Sequence, residues 1–221
     1  MKDKKGNLAE IFREQKPRSY KKGQIVIRPD DVFPGIFYVD KGFVKAYSLT
    51  EQGEQKNHII YKKGDVFPLV NSFASRRTNA FFETVNNSSL RKIEYDEFIK
   101  LIRSDNDMLL DLTRRISDYM RIYIERIDGL EYTKARSRII DHLLFLSERF
   151  GKANSKQIII EVPITHKDIA DSTAVSRETV SREMEKLKKD KLIQNKNKFL
   201  VIVDLNKLER QLLLQSDSKR L

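Results

Sequence analysis

Residues 164–193 read ITHKDIADSTAVSRETVSREMEKLKKDKLI. Thr165 and Asp168 have the spacing of a capping box, with Asp in the place of the usual Glu, and predict a short helix running to about Thr173. Ser176 can cap a second helix, Arg177 to Lys189. In that second helix Val180, Met184 and Leu187 share one face, while Arg177, Glu178, Ser181 and Arg182 share the opposite one. Two short helices joined by a three-residue turn are the geometry of a helix-turn-helix. Ala170 is small enough for a close helix–helix contact, and Val180 suits a buried position ten residues on. The turn carries Ala174 where glycine is usual, and a left-handed backbone costs alanine about 1–2 kcal/mol.

Outward on the C-terminal side, Leu192-Ile193-Gln194 and Phe199 to Val203 predict a hairpin around Asn195-Lys196-Asn197-Lys198, which makes the motif winged. The chemistry of the polar face suits double-stranded DNA. Arginine presents a fork that pairs with guanine O6 and N7, and glutamate accepts from cytosine N4, so Arg177, Glu178 and Arg182 are the candidate base readers. Thr165, Ser176, Thr179 and Ser181 carry short hydroxyls, and Lys196 and Lys198 sit at the wing tip; these are candidates for backbone contact. Taken singly, each of these residues is an ordinary solvated side chain; the combination points to DNA.

Outward on the N-terminal side, Thr133 to Phe150 has a helical face in Ile139, Leu143, Leu146 and Phe150, and Gly151 ends it. GKANSKQ then reads as a polar loop and Ile158 to Val162 as a strand. Before these, Asp105 to Leu130 holds no proline and no glycine before Gly129. Asp105 or Asp107 can cap it. Leu109, Leu112, Ile116, Tyr119 and Tyr123 follow a 3,4 spacing that continues through Arg126 to Leu130, a heptad seam expected to pair with a second copy of the helix. Met120, Ile124 and Ile127 form a second stripe, for which the N-terminal domain is the expected partner.

From Tyr20 to Ile93 the period shortens. Gln24 to Ile27, Ile36 to Val39, Phe43 to Tyr47 and Asn57 to Tyr61 are β-rich runs, punctuated by Gly23, Gly35, Gly42, Gly53 and Gly64 and by the Pro29–Pro34 turn. Short strands at this spacing predict an antiparallel barrel or roll, followed by a short helix over Tyr95 to Ile102. The fold class is therefore α+β, divided into a β-roll over 1–104, a dimerisation helix and hinge over 105–132, and a winged helix-turn-helix over 133–221.

Composition narrows the function classes. The chain has no cysteine, which excludes disulfides, Fe–S clusters and zinc–thiolate sites, and its three histidines lie far apart. No apolar run reaches the ~18 residues of a membrane span, and the N-terminus has no signal-peptide core, so no membrane partner and a cytoplasmic location are expected. The net charge of +11 is uneven: from Lys134 onward there are 19 basic and 12 acidic residues, which fits a polyanionic partner. No nucleophile–base pair, carboxylate pair or phosphate-cradling glycine loop marks an enzyme.

SRETVSR, Ser176 to Arg182, closely resembles the recognition-helix motif of the cyclic-AMP receptor protein/fumarate–nitrate regulator (CRP/FNR) superfamily, and the resemblance extends over nearly the whole chain. It implies a cyclic-nucleotide-binding-like β-roll, a homodimer, contact with RNA polymerase, for which the Gly151–Gln157 segment is the candidate, and an operator resembling TGTGA-N6-TCACA read by Arg177, Glu178 and Arg182. It also implies phosphate contacts from Ser176 and Thr179, and backbone contact at Lys196. The effector pocket departs from the family pattern. Where cyclic-nucleotide binders carry Gly-Glu-Leu after the Gly-Asp turn, this chain has Pro68-Leu69-Val70 after KKGD; where they carry Arg-Ser-Ala, it has Thr78-Asn79-Ala80 with Arg77 just before. The adenine-touching pair matches Tyr123 and Ile124. No residue replaces the glutamate that takes the ribose hydroxyl, so an effector that is non-standard or absent is expected in place of cyclic AMP. His58 is expected to be an ordinary strand histidine and not a haem ligand. The alternative is a cyclic-nucleotide-binding module acting through a protein partner, which predicts no base-reading side chains on the helix-turn-helix.

Overall fold

The computed structural model describes residues 8–32, 35–70, 73, 78–132, 134–154 and 157–216. They form two compact units, Met1–Tyr123 and Ile124–Leu221. Arg77, Pro34 and Thr133, each of which carried an expectation, lie outside the described residues.

The first unit is a β-roll. Helix α1 (Leu8–Arg13) precedes strands β1 (Arg18–Tyr20), β2 (Ile25–Ile27), β3 (Ile36–Lys41), β4 (Val44–Leu49), β5 (Gln55–Tyr61), β6 (Val66–Phe67), β7 (Phe81–Thr84) and β8 (Ser88–Ile93). One sheet has the order β1-β8-β3-β6 and the other β2-β7-β4-β5, with every pairing antiparallel. Alternating residues turn inward, as in the buried Asn57, Ile59 and Tyr61 of β5. Gly42, at φ +88°, turns the β3–β4 hairpin where a Cβ would strike the Ser88 side chain.

The interior of the roll is aromatic. Phe67 stacks on Phe37 at 5.4 Å, on Tyr61 at 5.0 Å and on Phe82 at 5.4 Å. The edge of Tyr119 meets Tyr61 at 5.6 Å. Such pairs contribute about 0.5–1.5 kcal/mol each beyond area burial.

Helix α2 (Tyr95–Ser104) ends the roll and α3 (Asn106–Leu130) follows. Asp105 starts α3: its Oδ1 accepts from the backbone N–H groups of Asp107 (2.8 Å) and Met108 (3.1 Å). The expected dimer seam is corrected in part. Leu112 and Tyr119 are buried within the protomer, and the Tyr119 hydroxyl donates to the Val66 carbonyl at 3.0 Å while accepting from the Val66 N–H at 3.1 Å. Arg115 reinforces this face, donating to the Gly64 carbonyl at 2.8 Å. Arg126 lies in the second unit and donates to the Ser172 carbonyl, so it is not the charged interruption of a seam. The second stripe is the open one: Met120, Ile124 and Ile127 are each more than half exposed, with Leu109, Leu110 and Leu130 close behind. At 100° per residue, Leu109, Ile116, Met120, Ile124 and Ile127 fall within roughly 80° of arc on α3. Hydrogen bonding of Tyr119 and Arg115 to the roll turns that face of α3 inward, while the second stripe stays exposed.

The second unit contains α4 (Ala135–Phe150), β9 (Gly151–Asn154), β10 (Gln157–Ile160), α5 (His166–Thr173), α6 (Arg177–Lys189), β11 (Ile193–Lys196), β12 (Phe199–Ile202) and α7 (Leu205–Ser216). Its sheet has the order β11-β12-β10-β9. Within the segment expected as a polar loop, Gly151 to Asn154 form a strand that pairs against Ile160 to Gln157, and residues 155–156 lie outside the described residues. Gly151 does not end α4 by a left-handed turn; it is extended at φ −78°. A Cβ there would strike the Ser147 carbonyl and the Ile158 side chain, so the glycine answers a close approach. Among the described residues, no helix is long and apolar enough to cross a membrane.

Candidate nucleic-acid interface

Helices α5 and α6 form where capping residues place them. The Thr165 side chain accepts from the Asp168 N–H at 3.1 Å, and the Asp168 carboxylate accepts from the Thr165 N–H at 2.9 Å, completing the capping box. Ser176 caps α6, accepting from the Thr179 N–H at 3.3 Å. Between them Ala174 adopts φ 52°, ψ 44°, the left-handed conformation that alanine tolerates poorly. Arg138 of α4 donates toward the carbonyls of Thr173 (3.4 Å) and Ala174 (3.3 Å), placing a cation at the C-terminal end of α5. Ala174→Gly is expected to stabilise the C-terminal unit by about 1 kcal/mol, roughly 4–8 °C in its melting temperature. Thermal unfolding followed by circular dichroism checks this, and a loss of stability would contradict the strain at this turn.

The recognition helix is held from behind. Val180, Met184 and Leu187 are buried. So is Glu183, whose carboxylate accepts from Arg136 (3.3 Å) and Lys186 (2.7 Å). Burial raises the Glu183 pKa, but the hydrogen bonds from Lys186 and Arg136 outweigh it and leave the pKa below its ordinary value. Arg136 also bonds Asp190 at 2.9 Å, so one α4 guanidinium grips α6 at two points. Sequence reading missed Arg136, Arg138 and Glu183. Arg136 and Glu183 are 47 residues apart, and no local spacing links them.

On the outer face Arg177, Glu178 and Arg182 are exposed and make no hydrogen bond or ion pair with any described residue. Their forks and carboxylate are free for an external partner. The candidate backbone-contact hydroxyls differ in readiness. Thr165 donates its hydroxyl proton to Asp168, and Ser176 donates to Thr179 at 3.1 Å. Thr179 accepts that bond, which leaves its own proton available. The Ser181 hydroxyl lies 2.7 Å from His166 Nδ1. Burial, and then Lys188, lower the His166 pKa, so His166 is neutral near pH 7. Lys196 and Lys198 are exposed at the wing tip. Asn197 and Lys198 both have positive φ, which gives the two-residue turn that a tight hairpin needs.

The candidate effector residues that are described differ in exposure. Pro68 and Leu69 are buried, Leu69 being 1% exposed, beside the aromatic filling of the roll. Thr78 is buried, with its hydroxyl accepting from the Ala80 N–H at 3.0 Å, and Asn79 is exposed. Tyr123 is half-buried in the first unit, and Ile124 is exposed in the second. His58 is half-buried in β5. Among the described residues, no group of histidine, cysteine or carboxylate side chains could hold a metal ion.

Two family models match the chain. A Crp-like helix-turn-helix domain matches residues 137–211, and a cyclic nucleotide-binding domain matches residues 17–105. Among curated proteins the chain is similar to Electron transport regulator A of Shewanella oneidensis, with 24% identity over 201 residues covering 91% of this chain and 79% of that protein. It is also similar to the Global nitrogen regulator of Synechococcus elongatus, with 25% identity over 198 residues covering 87% of each. Among solved structures, FixK2 from Bradyrhizobium japonicum superposes with a TM-score of 0.77 at 21% identity, covering 89% of this chain and 96% of that one. A CooA variant from Carboxydothermus hydrogenoformans superposes with a TM-score of 0.75 at 22% identity, covering 91% and 89%.

Proposed function

The chain belongs to the CRP/FNR superfamily of transcription regulators, and on that footing we propose that it acts in the cytoplasm as a homodimer recognising a TGTGA-N6-TCACA-like palindrome. It is a transcription regulator with a helix-turn-helix DNA-binding domain. The observation that carries the proposal is the face of α6. Arg177, Glu178 and Arg182 stand exposed without intramolecular hydrogen bonds or ion pairs, on a helix clamped from behind through Glu183 and Arg136. Arginine forks suit the guanines of such a half-site and glutamate the cytosine amino group. Thr165, Ser176, Thr179, Ser181, Lys196 and Lys198 supply phosphate contacts. Among the hydroxyls Thr179 contributes most directly, since its proton is not committed within the protein.

Homodimerisation uses the exposed stripe of α3 around Met120, Ile124 and Ile127, with Leu109 and Leu130 at its ends and the half-buried Ile116 and Tyr123 flanking it. Two-fold symmetry of the protein then matches two-fold symmetry of the operator. The exposed edge strand β9 offers a surface for RNA polymerase. The effector is non-standard or absent: Leu69 stands where a ribose-binding carboxylate is needed, and aromatic rings fill the roll. The protein-partner alternative leaves three free base-reading side chains without a purpose.

Selection from a pool of random duplexes is expected to return two TGTGA-like half-sites separated by six base pairs. A pool enriched in single half-sites, or in none, would contradict the proposal.

A further inference from the structure

One hydroxyl of the helix-turn-helix has a partner unlike the others. Thr165 is bonded to the Asp168 carboxylate and Ser176 to the Thr179 hydroxyl. Ser181 instead meets an imidazole, its Oγ lying 2.7 Å from His166 Nδ1. His166 is the first residue of α5 and Ser181 lies in the second turn of α6, so this bond joins the two helices of the motif. On α6, Ser181 is next to the exposed Arg182 and one turn from the exposed Glu178. Both members of the pair are half-buried, and His166 Nε2 makes no hydrogen bond with any described residue.

The protons of the pair can be counted. Neutral His166 has one N–H and Ser181 one O–H, and their mutual hydrogen bond uses one of the two, whichever tautomer is present. One donor is then left to face outward. The imidazolium adds a third proton: Nδ1–H donates to Ser181 Oγ, and Nε2–H and the Ser181 O–H are both left to donate. Phosphate oxygens are acceptors, so a DNA backbone favours the form with two donors and a positive charge. In the chain without DNA the ring is held in the other form. Burial keeps its pKa below the ordinary value, Lys188 and Arg177 act in the same direction, and Glu185, which pairs with Lys188 at 2.7 Å, opposes them. These charged groups and Ser181 form one stripe of α6, Arg177, Ser181, Glu185 and Lys188, spaced at one-turn intervals.

We propose that His166 and Ser181 form a proton-linked phosphate contact: DNA binding draws a proton from solvent onto His166 of each chain, and the imidazolium Nε2–H and the Ser181 hydroxyl then both donate to the DNA backbone. His166 thereby positions the Ser181 proton as well as making its own contact. The proposal rests on the reading of α6 as the DNA-facing helix. Phosphate charge raises the ring pKa in the complex above that of the free chain. Affinity is therefore highest below the free-chain pKa and falls as pH rises through the pKa of the complex. The other histidines do not supply this dependence. His58 lies in β5 of the first unit, and burial holds His142 at about 3, so it stays neutral. Asp141, pushed up to about 6 chiefly by burial, titrates in the same range, but it lies on α4 and a His166 variant retains it.

The test is titration of the full chain with operator and scrambled duplexes at constant ionic strength, from about pH 6 to about pH 8.5. Calorimetry near pH 7 in two buffers of different ionisation enthalpy counts the protons taken up. The wild-type chain is expected to take up protons on binding and to lose at least about fivefold in affinity over this range, on both duplexes alike because the contact is to phosphate. His166→Asn should flatten the pH profile and remove the uptake while keeping the preference for the palindrome. Ser181→Ala should weaken binding more at the acid end of the range than at the alkaline end. Any of four results would overturn the proposal: affinity that rises with pH, no proton uptake by the wild type, uptake unchanged in His166→Asn, or a Ser181→Ala loss equal at both ends. The wild-type proton count keeps the test decisive if a variant does not fold. A wild-type chain that prefers the palindrome but takes up no proton sinks this proposal alone, whereas one without that preference sinks the reading of α6 as well.

Discussion

Replacing Ile124 and Ile127 together with glutamate is expected to leave the protein monomeric and to cost about 10²–10³ in affinity for the palindromic operator. Both side chains are more than half exposed in the protomer, at 56% and 62%. The substitutions therefore disturb little within one chain, since surface changes of this kind usually stay within about 0.5 kcal/mol. In the dimer the same positions meet their symmetry mates, and four carboxylates would be buried together without partners. Each uncompensated buried charge costs several kcal/mol, against about 1.5–3 kcal/mol contributed by each buried isoleucine. A monomer keeps one half-site of contacts and loses a large part of the specific margin, which spans roughly 10³–10⁷ for regulators of this kind. Sedimentation velocity and operator titration check the two halves of the expectation. A variant that remained dimeric would contradict this stripe of α3 as the interface.

The second large effect is at Arg182. Arg182→Ala is expected to cost about 1–3 kcal/mol on the operator, roughly 5- to 150-fold, and to relax discrimination at the base pair it reads. Arg182 is exposed and makes no hydrogen bond or ion pair within the described residues. Its loss therefore leaves the α6 clamp, Glu183 with Arg136 and Lys186, in place. Lys196→Ala is the contrast. At an exposed wing tip it should weaken operator and scrambled DNA by the same factor and lower the slope of log affinity against log salt by about 0.9. If Arg182→Ala behaved like Lys196→Ala, the arginine would be a phosphate contact and not a base reader.

The two ends of the molecule were unequally legible in the sequence. The helix-turn-helix is governed by local chemistry, so the Thr165–Asp168 capping box, the Ser176 cap and the left-handed Ala174 could all be read within a few residues of one another. The wing followed from its turn residues. What failed was long-range. Leu112 and Tyr119 have the spacing of a dimer seam, but hydrogen bonds between Tyr119 and Val66, and from Arg115 to Gly64, turn that face inward. Strand β9 reads as a loop in the sequence because Gly151, Lys152 and Asn154 have weak strand preference; its pairing with β10 overrides that. Helices α1 and α7 passed unnoticed although Leu8, Phe12 and Leu208 are fully buried. The Arg136–Glu183 clamp joins helices far apart in sequence, and nothing local announces it.

The central claim is that α6 reads base sequence. Fluorescence anisotropy at about 0.15 M salt compares a duplex carrying TGTGA-N6-TCACA with one of equal length and composition whose half-sites are scrambled. The account predicts affinity for the palindrome at least about 10³-fold higher, at a stoichiometry of two chains per duplex. Equal affinity for the two duplexes, with the same salt dependence, would mean that the protein grips only phosphate, and would contradict the reading of Arg177, Glu178 and Arg182.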